Sequence, residues 1–152
     1  MVDLEDLTNA LVDALRRVPE LVAALGGDPM RIMPYIDNNP DFNSLSAAAY
    51  EQEPGSVLVG WDDTQITEDE MPQWLHNHLF YVRAQRKGVS ALRLVTLLVN
   101  GVPDPGDGQR WRFCPVMEGV YRTEIPSIER IQDSEGVDYF AVHAATKETG
   151  DE

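Results

Sequence analysis

From Ala91 to Asn100 the chain is polar only at Arg93, Thr96 and Asn100, while Leu92, Leu94, Val95, Leu97, Leu98 and Val99 fill the positions between. Ser90 stands where a helix cap belongs, and the run GVPDPGDGQ (101–109) cannot continue regular structure. The segment therefore reads as a helix, and a helix apolar around most of its circumference is buried around most of it. In a chain of 152 residues that suggests cover from the first, N-terminal helix or from a neighbouring copy.

A second helix is at hand. Leu4, Leu7, Leu11, Ala14, Val18, Leu21 and Leu25 recur at spacings of three and four, with Asp3 placed to cap the start and Gly26-Gly27 to stop the end. The spacing also suits a coiled-coil seam, but Pro19 removes a hydrogen bond in mid-helix. The pattern predicts a helix to about Arg17, a short one from Pro19, and a stripe that lies on a sheet. Strands are expected at 30–36, at Ser56–Trp61 (SVLVGW), at Gln73–Ala84 (QWLHNHLFYVRA), at 111–116, and at 127–133 with 137–143. Asp133-Ser134-Glu135-Gly136 fits the turn of a hairpin between the last two. A short helix is expected at 45–51, an acidic loop at 62–72, and a frayed polar end at 146–152. Helix, strands, helix, strands without an internal repeat is an α+β pattern. The expected architecture is one domain over 1–152, a mixed or antiparallel sheet carrying an N-terminal amphipathic helix and a second buried helix.

Charge narrows the function classes. The formal net charge is −14, which argues against an ordinary nucleic-acid binder, since that requires a basic surface. The distribution is uneven: residues 1–36, 37–82, 83–112 and 113–152 carry −3, −9, +4 and −6. The second block holds nine acids and no base, and the third holds Arg83, Arg86 and Lys87 at the end of a strand. Opposite blocks of this kind suit head-to-tail contact between copies. Arg83, Arg86 and Lys87, with Asp62 and Asp63 opposite in sign, are the candidate subunit-interface residues.

Positive signs of chemistry are few. His76 and His78 would share one face of a strand, as metal ligands do, with a third ligand to come from His143 or a carboxylate. Half-buried histidines are the plainer reading. The one cysteine, Cys114, has no disulfide partner in the chain and no activating motif around it. The acids at 62–63 and 68–70 lack calcium-loop spacing, and the loop 101–108 lacks a phosphate-loop lysine. No catalytic, metal-binding or cofactor-binding residue is assigned. The acidic start and the absence of an 18-residue apolar run lead to the expectation of a soluble intracellular protein without membrane contact.

The order of elements has a parallel. The strand Leu79-Phe80-Tyr81-Val82-Arg83-Ala84 leads to a helix ending Leu97-Leu98-Val99-Asn100-Gly101-Val102-Pro103. An Arg-Trp strand, Ile125-Pro126-Ser127-Ile128-Glu129-Arg130, Ser134-Glu135-Gly136 and Val137-Asp138-Tyr139-Phe140 follow. With the N-terminal amphipathic helix and Val57-Leu58-Val59-Gly60-Trp61, the whole resembles the tail terminator (tail-completion, head–tail joining) proteins of tailed bacteriophages over about residues 3–145. That resemblance implies a virion structural protein with no catalytic residues and no cofactor. Such a protein is assembled in the host cytoplasm as a ring, typically a hexamer, on the end of the tail tube. Its partners would be other copies of itself, the tail tube protein and a neck or connector protein, with DNA passing through the lumen unbound. Two alternatives stand beside it: another neck or head-completion protein, and an acidic inhibitor or DNA mimic. The Arg-bearing block weighs against a pure mimic. A hydrolase using His76 and His78 trails both.

Overall fold

The computed structural model describes residues 1–35, 55–68, 70, 72–84, 90–101, 112–113, 117, 120–132 and 138–149. Helix α1 (Leu4–Arg16) starts where the Asp3 carboxylate accepts the Asp6 amide at 3.0 Å. It buries Leu7, Leu11, Val12, Ala14 and Leu15 along one stripe. Pro19 occupies the first turn of α2 (Pro19–Ala24), where its missing N–H costs nothing, so the proline that rules out a continuous helix begins the next one. The end of α2 is closed by Gly26 and Gly27, at φ 80° and 81°, and the Gly27 amide reaches back to the Val22 carbonyl at 2.9 Å. Arg16 then ties the chain down by donating from Nε to the carbonyls of Pro29 and Ile32.

Six strands follow among the described residues: β1 (Ile32–Tyr35), β2 (Gly55–Ile66), β3 (Gln73–Ala84), β4 (Arg112–Phe113), β5 (Val120–Gln132) and β6 (Asp138–Thr149). Helix α3 (Ala91–Gly101) lies in sequence between β3 and β4. They form one sheet in the order β1-β2-β3-β6-β5-β4. The β1–β2 pair is parallel and every other pair antiparallel, so the sheet is mixed and the fold α+β, as the sequence pattern indicates.

The three helices cover one face. Leu11, Leu15, Leu94 and Leu98 pack over Val57, Val59, Phe80, Val82 and Val142. The apolar girth of α3 is thus explained within the chain: α2 flanks it, and Gly101 lies so close to Val18 that a Cβ there would run into Cγ1. The other face holds a smaller cluster, Leu58, Leu79, Tyr81, Tyr139 and Ala141.

Three sequence expectations change. The stretch 62–66 is not loop but the outer half of β2, because a register shift between Trp61 and Asp63 lets the acids sit on an open strand surface while pairing with β3 continues. The polar end is not frayed up to Thr149, because Thr146 and Glu148 turn inward from β6 and pair with β3. Arg83 is not a surface charge. It is 1% exposed, with its guanidinium 5.3 Å from the centroid of the Tyr139 ring. The expected helix at 45–51, Cys114, and the turn at 133–136 lie outside the described residues, as do Arg86 and Lys87.

Candidate functional site

His76 and His78 do share a face of β3, the one beneath the helices, but each has its own partner. His78 Nε2 lies 2.9 Å from Thr8 Oγ1 on α1. The Thr8 hydroxyl donates to the Leu4 carbonyl at 2.8 Å, so it accepts from His78 and fixes the proton on Nε2. Nδ1 is left a buried acceptor without a partner. Burial, with repulsion from His76 second, pushes the His78 imidazole down to about 3. The unfolded chain takes this proton near its ordinary value of 6.5 while the folded one refuses it. The stability involved is complete above 6.5 and is lost as the pH falls toward 3. His78→Leu is therefore expected to flatten the acid limb of a stability–pH curve, removing about 2 kcal/mol of the loss between about pH 7 and about pH 5. Urea midpoints across that range check it, and an unchanged slope would contradict it.

His76, fully buried, sits in a longer chain of polar contacts. The Trp61 indole donates to Thr64 Oγ1 at 2.9 Å, and that hydroxyl lies 3.0 Å from His76 Nδ1. His76 Nε2 is 2.7 Å from Glu148 Oε2, and the Val2 amide donates to Glu148 Oε1 at 2.7 Å. Thr64 donating to Nδ1 and Nε2–H donating to the carboxylate satisfies every link. Hydroxyl, imidazole and carboxylate in a row is the grammar of acyl transfer. Here, however, the imidazole is sealed from solvent, and neither described surface cavity reaches it. One cavity lies between α2 and α3, the other along α1. The row instead clamps β2, β3, β6 and the start of the chain together.

On the opposite face the outer part of the sheet is polar. Asp63 accepts from Asn77 Nδ2 at 2.6 Å and from Gln65 Nε2 at 3.2 Å. Across the sheet, His143 Nε2 is 2.9 Å from Glu129 Oε2. Asp62 belongs to the same neighbourhood: partial burial and then Asp63 raise its carboxyl above the usual range, while His143 opposes them. Tyr81 is held protonated well beyond its normal range by burial, and then by Tyr139, Asp62 and Glu129. Acids from β2 and β5 that are some 66 positions apart in sequence thus gather around one patch.

The pleat sets the third histidine apart from the other two. His143 points to the face opposite His76 and His78 and cannot join them, and the nearby carboxylate, Glu148, is already bonded to one histidine and one amide. Among the described residues no group of three histidine, cysteine, aspartate or glutamate side chains is placed to hold a metal ion. No helix of the described residues is long and apolar enough to cross a membrane. Of the five interface candidates, Asp62 and Asp63 lie on the open face of β2, Arg83 is in the interior, and Arg86 and Lys87 are not described. Sequence reasoning pointed to the carboxylates near 129–138, Glu129 among them, as candidates to face a channel, and missed the roles of Thr64 and Glu148. For Glu148 a signal existed, the alternation of Ala144, Thr146 and Glu148 in the inward positions of a strand.

These elements define a class by architecture: an α+β sheet with one helix-covered face and an outer polar half on the other. A chain in the solved structure titled "Virion of native gene transfer agent (GTA) particle" shares that fold. Its TM-score is 0.58 at 11% identity, and the match covers 95% of this chain and 95% of that one. No protein-family model and no curated protein sequence matches the chain.

Proposed function

We propose that this chain is a structural protein of a phage-type virion, acting there as the tail terminator. In this reading a ring of copies, of hexameric order, caps the tail tube and offers its other side to the neck. The observation that carries it is the fold shared end to end with a chain of the gene transfer agent virion, with 95% of both chains superposed. The element order that resembles tail terminators along the sequence supports the finer assignment. The patch of Asp62, Asp63 and Glu129 supports a role beside DNA. Lining a lumen, those carboxylates would repel phosphates and let the duplex pass without gripping it.

Deleting the gene tests the assignment. The expected particles have tubes of uncontrolled length and DNA-filled heads without tails, both visible by negative-stain microscopy. Tubes of normal length that merely fail to join heads would move the chain to another neck component. Normal joined particles would overturn the virion role.

A further inference from the structure

Two exposed surfaces carry apolar side chains, one beside acids and one beside an arginine. At the β2–β3 hairpin end, Ile66 is 58% and Trp61 47% exposed, and Ile66 pairs directly with Trp74. Glu68 and Glu70 are exposed in the connection beyond, and no Lys or Arg occurs anywhere in residues 37–82. The hairpin end is therefore an apolar wedge with an acidic rim.

The other surface lies on α3. Leu92 is 62% exposed beside exposed Arg93, and Ala24, Ser90, Arg93 and Leu97 line an open groove of about 480 Å³ between α2 and α3. Arg93 belongs to the net-basic block of the sequence, although Glu20 lies one turn before Ala24 on the same side of α2.

Within one molecule the groove stands open while Ile66 and Trp61 remain exposed, so the wedge does not fill its own groove. We infer that the Trp61–Ile66–Trp74 hairpin end of one copy seats in the α2–α3 groove of the next, Glu68 and Glu70 facing Arg93. Because wedge and groove are different surfaces, the contact is head-to-tail, and a rotation that closes it generates a ring. The inference rests on the ring reading above and supplies the surfaces through which copies meet.

Sedimentation velocity on the full chain tests it, with the wild type, a wedge variant (Ile66→Asp) and a groove variant (Arg93→Glu). Both positions are exposed, so folding should survive, and circular dichroism checks that it does. The wild type is expected to form closed oligomers that weaken with salt, and each variant to self-associate at least about tenfold more weakly. An equimolar mixture of the two variants retains one good wedge and one good groove, so it should yield dimers and stop there. Variants that assemble like the wild type would overturn this contact, as would a mixture that restores the full oligomer. A wild type that stays monomeric to about 1 mM would overturn it too. None of those results alters the deletion phenotype, which judges the virion role separately.

Discussion

Phe80→Ala is expected to lower the unfolding free energy by about 3–5 kcal/mol, seen as a lower urea midpoint at an unchanged slope. Phe80 is fully buried in β3, a strand with long partners on both sides, directly opposite Val59 on β2 and Val142 on β6. Its ring belongs to the cluster on which Leu11, Leu15, Leu94 and Leu98 rest. Those strands are hydrogen-bonded to neighbours and cannot collapse into the space, so the cavity term adds to the lost transfer energy. Against a total stability of about 5–15 kcal/mol this is a large fraction. A loss under about 1 kcal/mol would mean that the helices do not bear on the sheet at this point.

Removing the Glu148 carboxylate should follow closely. Glu148→Ala orphans two donors at once, His76 Nε2 and the Val2 amide, each held at 2.7 Å. At about 1–3 kcal/mol per unsatisfied buried group, a loss near 3 kcal/mol is expected. Glu148→Gln should cost less, because the amide oxygen still accepts one of the two. The clamp predicts more than a loss of stability. In a cycle with His76→Leu the effects should fail to add by about 1–3 kcal/mol, since the second substitution removes a donor that the first left stranded. Additive effects would show that the two groups do not act as a pair.

Which parts of this were legible in the sequence follows from the range of each interaction. The α1–α2 break at Pro19 and the strand at 73–84 rest on local chemistry and could be read directly. So could the likeness of faces between His76 and His78, because a strand alternates with a period of two. Charge misled where it met long-range packing. Arg83 reads as surface until Tyr139, 56 positions later, supplies a ring for its guanidinium. Asp62-Asp63 reads as loop because a strand with one open face tolerates acids, and only the register shift beside Trp61 returns Thr64 and Ile66 to the helix side. The partner of His76 lies 72 residues away, and no spacing rule announces it. The sequence points to the first helix or another copy as the cover of α3, whereas the helix that flanks it is the short α2, with Val18 against Gly101. Leu92 remains outside that cover, 62% exposed.

The gathering of Asp62, Asp63 and Glu129 on one face also sharpens the meaning of the net charge of −14. An acidic surface excludes gripping DNA, yet it suits a channel wall past which DNA must move. Carboxylates on the outer half of the sheet leave the helix-covered face and the hairpin end free for protein contacts.

The central claim is a place in a particle, and cryo-electron microscopy of intact particles from the genome that encodes this chain tests it most directly. The account expects a ring of density fitting this fold between the last tube layer and the neck, with Asp62, Asp63 and Glu129 facing the lumen. Particles whose tube-to-neck junction contains no such ring, or a ring with a basic lumen built from this chain, would contradict it.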